Sequence, residues 1–289
     1  MNIRTIGIYL ALSLLNSSAF ASSLKIATWN VEFLTAKSNT SCAPRSDEDY
    51  IKLSEVASSI DADIYALQEV ESAKALERIF DPAVYNFIVS ERTGKTYDCR
   101  HNKKYKTTQQ RVAYAVKKSV KYQYSKTDNL TELDLEGNNA LRYGLVLQLP
   151  KATLVNVHLK SACHSGDVLS NGSNCDVKKR QFDVLTKWVN KQPSSKELVI
   201  LGDFNHKFND DDYFLNGDAE KRSMTANTSS LNSCRPRYSS DQGVDHIVTS
   251  FDELEVSIVN YVDVNNDQVE DSEESMLSDH CPIVATVDL

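Results

Sequence analysis

The sequence has no low-complexity stretch and no internal repeat, which argues against a solenoid or an array. After residue 21 it has no apolar run long enough to cross a bilayer, which takes about 20 residues. It is also short of positive charge: 32 Lys and Arg stand against 40 Asp and Glu, a net −8. Lys and Arg supply most of the affinity for a phosphate backbone, so an acidic chain can hold a polyanion only through a local basic face or a divalent cation. No two of the six cysteines stand two to four residues apart, the spacing of finger-type zinc sites. Disulfides are therefore the expected use of Cys42, Cys99, Cys163, Cys175, Cys234 and Cys281.

A hydrophobic content of 41% with 25% charged residues is that of a globular chain able to bury a core. Residues 1–21 read as an export leader: Arg4, an apolar stretch from Ile6 to Leu15, then the small-x-small sequence Ala19-Phe20-Ala21. The apolar stretch is too short for a membrane anchor. The mature product is expected to begin at Ser22 with net charge −9 after loss of Arg4, to be periplasmic or secreted, and to be a monomer. An even number of cysteines in an exported chain favours disulfides. Cys163 and Cys175 bracket a Gly, Ser and Asn-rich loop and are the first pair expected.

Periodicity gives the elements. Leu24 to Val31 alternates as a strand, Glu48 to Ile60 has helical spacing, and Ile64 to Val70 is a buried strand, followed by a helix over Ser72 to Phe80. Val89 to Gln110 reads as a long exposed loop held by Cys99. Val112 to Val116, Leu141 to Leu149 and Thr153 to Leu159 read as strands. Val177 to Val189 is a helix with Phe182, Leu185, Trp188 and Val189 inward, and Glu197 to Leu201 a strand. Such a mixture predicts an α/β (α+β) architecture of packed β-sheets flanked by helices.

Six short motifs carry the chemistry: Ala27-Thr28-Trp29-Asn30-Val31-Glu32, Ala66-Leu67-Gln68-Glu69-Val70, Asn156-Val157-His158-Leu159, Leu201-Gly202-Asp203-Phe204-Asn205, Val244-Asp245-His246-Ile247 and Leu277-Ser278-Asp279-His280-Cys281-Pro282-Ile283. Each sets a carboxylate, carboxamide or imidazole against an apolar run, where a strand is expected to stop and a pocket to open. One such run is ordinary; six with the same polar types point to one assembled site spanning a single domain, residues 22–289. Glu69 and Asp279 are hard oxygen donors suited to Mg²⁺ or Mn²⁺, with Asn30 assisting. His280 is the candidate base, with Asp245 holding its tautomer, and His158 the group at the leaving oxygen. Asp203 and Asn205 alternate across Phe204 and so share a side if the backbone stays extended. Arg142 is the candidate phosphate clamp. Basic patches lie at Arg100 to Arg111, with His101, Lys103, Lys104 and Lys106, and at Lys178-Lys179-Arg180. Asp263, Asn265, Asp267, Asp271 and Glu274 have the spacing of a calcium loop, a candidate structural Ca²⁺ site, although Gln268 stands where that loop needs Gly.

Together the motifs resemble the endonuclease/exonuclease/phosphatase superfamily, in its deoxyribonuclease I-like branch, over nearly the whole mature chain. That resemblance implies a four-layer sandwich with a divalent metal at one end of its sheets. It puts metal residues at Asn30, Glu69 and Asp279, catalytic histidines at His158 and His280, and supporting groups at Asp203, Asn205 and Asp245. Two positions depart from the branch: Glu71 stands near where an Arg is usual, and Gln110 where a Glu orients the first histidine. The implied activity is metal-dependent hydrolysis of DNA, with RNA as a second substrate. A lipid-headgroup phosphodiesterase similar to bacterial sphingomyelinases, and a binder of the same fold without turnover, are the alternatives.

Overall fold

The computed structural model describes residues 23–93, 95–100, 102–135, 137, 140–164, 168, 172–209, 212–216, 222–235, 238–251, 254–260 and 276–288. The expected leader, His101 and the calcium-loop spacing from Asp263 to Glu274 lie outside the described residues.

Alternation decides the architecture. In β1 (Ser23–Leu34) Ile26 turns to one face while Ala27 and Trp29 turn to the other. In β2 (Ile64–Val70) Ile64 and Ala66 face one way, Tyr65 and Leu67 the other. A strand buried on both faces must lie between two layers, so β1 and β2 are central. The first face packs against a second sheet through Leu145, Leu147, Leu154, Val199 and Leu201. The opposite face receives Tyr50, Leu53, Val56 and Ile60 of helix α1 (Asp47–Ile60). The outer face of the second sheet is covered in the same way by Phe182, Leu185 and Val189 of α3 (Ser173–Lys191), against Val155, Val157, Leu198 and Ile200. The outcome is the expected sandwich of two sheets between helices.

The first sheet has six strands in the order β10 (Val256–Ile258), β11 (Ile283–Asp288), β1, β2, β4 (Arg111–Lys117), β3 (Tyr85–Val89). The second has five: β5 (Leu145–Gln148), β6 (Ala152–His158), β7 (Glu197–Asp203), β9 (Asp245–Thr249), β8 (Thr225–Ala226). Each centres on one parallel pair, β1 with β2 and β6 with β7, flanked by antiparallel neighbours. This explains a correction. Asp245 opens β9, and Asp279 and His280 precede β11; they do not end strands, as their motifs suggest. Because β9 and β11 run against β7 and β1, their beginnings reach the edge where the parallel strands finish.

The helix expected over Ser72 to Phe80 is only α2 (Ala73–Leu76). After Leu76 the backbone tightens to Arg78 N–H on Ala75 O and Ile79 N–H on Leu76 O, keeping Ile79 and Phe80 buried ahead of Pro82. The strand expected from Leu141 begins only at Leu145. Trp188, expected inward, is half-buried at the margin of its core. Three disulfides close Cys42 to Cys99, Cys163 to Cys175 and Cys234 to Cys281, and no cysteine is left over. No helix among the described residues is long and apolar enough to cross a membrane.

Candidate active site

The polar ends of β1, β2, β6 and β7 and the polar beginnings of β9 and β11 meet at one edge of the sandwich. Register brings them there: Asn30 pairs with Gln68, His158 with Asp203, and Asp203 with Asp245. Gln68 and Asn156 bind the two sheets together. The Gln68 amide donates to Asn156 Oδ1 at 2.8 Å, and Asn156 donates to the Leu67 and Ala113 carbonyls at 3.0 and 2.8 Å, all in the interior. A buried polar bridge of this kind fixes one register, because any slip leaves its members unpaired.

Asp203 is the hub. Its Oδ2 accepts from Asn30 Nδ2 at 3.1 Å and from Asn205 Nδ2 at 3.0 Å, and lies 3.3 Å from His158 Nε2 and 4.0 Å from His280 Nε2. Its other oxygen accepts the Asn205 N–H at 2.7 Å. Asn205 sits at φ 51°, so the segment turns sharply instead of staying extended, yet the turn itself folds the Asn205 amide onto Asp203. Burial, opposed by His280 and reinforced by Asp245, pushes the Asp203 carboxyl up to about 6.

His280 Nδ1 lies 2.6 Å from Asp245 Oδ2, and its Nε2 is 3.7 Å from Asp279 Oδ1. Burial alone would lower its pKa, but Asp245, Asp279 and Asp203 together outweigh it and hold the imidazole charged well above the usual range. His158 goes the other way. Burial, with the positive charges of Arg142, His280, Lys178 and Arg92, keeps it neutral, and its Nδ1 has no partner among the described residues. Gln110, expected to orient His158, instead accepts from Arg142 at 3.3 Å and hydrogen-bonds Glu69.

Glu69, at φ 62°, accepts the Phe33 N–H at 3.1 Å and lies 4.0 Å from His158 Nε2. Its carboxyl is raised by burial and by Asp279, against a lowering effect of Arg142. Arg142 buries its Nε beside these groups, with no partner for it among the described residues. Asp279 is the most open member, its N–H on Glu32 Oε2 at 3.1 Å and its carboxylate 3.6 Å from Arg235.

Three contributors went unassigned in the sequence. Glu32, in the first motif but given no role, stands at φ 42° where β1 buckles. Burial and Asp279 lift its carboxyl to about 7. Arg45 is buried and donates to Glu32 O at 2.6 Å and twice to Leu277 O at 3.0 and 2.7 Å, clamping β1 to the Asp279 segment. Lys178, read as part of a surface patch, is wholly buried, with its ammonium on the Phe204 and Asn205 carbonyls. Of its neighbours, Lys179 pairs with Asp183 and Tyr213, and only Arg180 is exposed. Arg100, Lys103, Lys104 and Lys106 are exposed as expected.

A cleft of about 390 Å³ opens beside the site, lined by Asn205, Asp245, Asp279 and His280 together with Arg235 and Tyr238. The Cys234–Cys281 bridge lies in its lining. Ligand atoms of Asp203, Asp245 and His280 lie within 4.8 Å of one another, an arrangement able to hold a metal ion. Crowding of carboxylates, with Asp279 raising both Glu32 and Glu69, is a second sign of a cation site.

No curated protein matches the chain. Among solved structures, an endonuclease/exonuclease/phosphatase from Bacteroides vulgatus aligns with TM-score 0.58 and 15% identity, over 93% of this chain and 99% of that one. Truncated Caenorhabditis elegans TDP2 aligns with TM-score 0.56 and 14% identity, over 92% and 98%. D. rerio TDP2 complexed with a single-strand DNA product aligns with TM-score 0.53 and 12% identity, again over 92% and 98%. The model of the endonuclease/exonuclease/phosphatase family matches residues 27–280, and the chain therefore belongs to that family.

Proposed function

We propose that the protein is an exported, Mg²⁺- or Mn²⁺-dependent phosphodiesterase that hydrolyses nucleic acid, DNA first and RNA second. The observation that carries this reading is the gathering of Asn30, Glu69, His158, Asp203, Asn205, Asp245, Asp279 and His280 around one carboxylate at one sheet edge. A structural neighbour bound to a single-strand DNA product supports nucleic acid as the substrate class. Three disulfides with no cysteine left over support an oxidising destination.

The donor set suits a hard divalent ion: we place it on the carboxylates of Glu69 and Asp279 with the Asn30 amide, and not on the Asp203, Asp245 and His280 cluster, because His280 is already bonded to Asp245 there. Such an ion would polarise a phosphate oxygen and neutralise the carboxylates that hold a proton on His280. In its neutral form His280 would take the proton of the attacking water, with Asp245, 2.6 Å from its other nitrogen, stabilising the imidazolium that results. Asp203 orients the water. Asn205 and Arg142 donate to non-bridging oxygens, Arg142 through its planar guanidinium fork. The charge state of His158 disfavours an acid role, so we assign it as a neutral donor from Nε2 near the leaving oxygen.

A panel of duplex DNA, single strands, RNA and sphingomyelin, run with Mg²⁺ and with chelator, tests the proposal. Chelation should abolish DNA cleavage, and His280→Ala should lower kcat by about 10² to 10⁴, the usual contribution of a positioned acid or base. Equal rates for wild type and His280→Ala would end the catalytic reading. Phosphocholine release without DNA cleavage would replace the substrate.

A further inference from the structure

Helix α3 lies on the outer face of the second sheet, away from the reacting groups, but two of its inward residues are polar. Lys178 and Gln181 are both wholly buried. A lysine in a protein interior is uncommon and must satisfy its ammonium there. Lys178 does so on two consecutive carbonyls, Phe204 O at 2.6 Å and Asn205 O at 2.8 Å. These belong to the turn whose φ of 51° at Asn205 folds the amide back onto Asp203. Gln181, three residues on and hence on the same helical face, accepts the Lys160 N–H at 2.9 Å and donates to Leu133 O at 3.0 Å. Lys160 follows His158 by two residues. Leu159 between them donates its N–H to Asp203 O at 2.9 Å and accepts from Asn205 Nδ2 at 3.4 Å.

We infer that Lys178 is a positioning residue for hydrolysis, acting through the Phe204 and Asn205 carbonyls to hold Asn205 and Asp203 in register with His158, with Gln181 bracing the His158 strand from the same helix. Neither side chain bonds the hub carboxylate directly. The ammonium instead fixes a strained turn from behind, while the front of that turn faces the cleft through Asn205. Burial as the leading effect, eased by the Asp203 charge, lowers the Lys178 pKa to about 7, and the amine keeps N–H donors for both carbonyls in either charge state. Outer partners of this kind typically change affinity or activity 10- to 100-fold when removed.

This inference rests on the proposed hydrolase reading, and its test separates the two. In Lys178→Met, kcat on duplex DNA per folded molecule should fall about 10- to 100-fold with KM little changed. Lys178→Arg, which keeps charge and donors, should recover part of that loss, and Lys187→Met on the exposed side of α3 should cost nothing. If Lys178 works through the turn, its substitution should cost much less in an Asn205→Ala background. Hydrogen exchange on the protein without metal should show faster exchange at residues 203–206 in Lys178→Met while α1 is unaffected. Should the Met variant not fold, Lys178→Gln takes its place in every comparison. Undiminished kcat in the folded variant, strict additivity with Asn205→Ala, or unchanged exchange at the turn each overturns the inference. A wild type inactive on every phosphodiester ends the hydrolase reading instead, and the exchange result then decides the positioning role alone.

Discussion

Glu32 is a residue the bare chain tolerates at a cost. Its carboxyl, raised to about 7 from 4.5, is penalised in the fold relative to the unfolded chain. A raised acid favours the native state's proton, so the penalty is absent below about 4.5 and complete above about 7. Glu32→Gln keeps an acceptor for the Asp279 N–H and removes the charge. In chelator at pH 8 it should raise stability by about 1 kcal/mol, discounted for the partial exposure of the side chain and its weak pairing with Arg45. At pH 4 the gain should vanish, and denaturant titrations at the two pH values check both. Sequence reasoning singles out Asn30, Glu69, His158 and Asp279 because each stands in a short motif against an apolar run. It missed the role of Glu32 because that role depends on Asp279, 247 residues away. Lys178 was misread because charge runs are ordinarily solvated; yet Lys178, Phe182, Leu185 and Val189 fall on one helical stripe, a signal that was there to use.

Gly202 shows how an element sets the site. It lies at φ 143° opposite Val157, where an added Cβ would come 2.0 Å from the Val157 carbonyl oxygen. The close approach of β6 and β7 places His158 beside Asp203, so Gly202→Ala must push the parallel pair apart at the point where it carries the site. A loss of about 3 kcal/mol, or roughly 6 to 12 °C in Tm, is expected from such backbone strain. A calorimetric scan with an unchanged Tm would show that the strands can separate without cost. Strands with two buried faces, such as β2 and β6, were legible as apolar runs. β3, β9 and β11 were not, because Tyr85–Val89 is only partly buried and the other two were seen only through the polar residues at their beginnings. Strand direction is what the motifs could not give, and direction alone lets the start of one strand meet the end of another.

At the scale of the whole molecule, the first sheet is closed by its most distant pairing. β11 runs antiparallel to β1, with Ser23 opposite Asp288 and Leu24 opposite Val287. The same return carries Ser278 onto the Asn30 carbonyl at 2.8 Å and His280 O under the Trp29 indole at 3.2 Å. The order of strands along the chain therefore matters less to the site than which strands end up as neighbours. Since Asp288 and Ser23 are partners in an antiparallel ladder, a turn of a few residues could join them as a hairpin. New termini could then be opened at the exposed Lys118–Ser119 after β4. Such a circular permutant should fold, keep its three cystines and match the parent across the same substrate panel; an unfolded product would mean that the order of the chain, and not only its final neighbours, directs assembly.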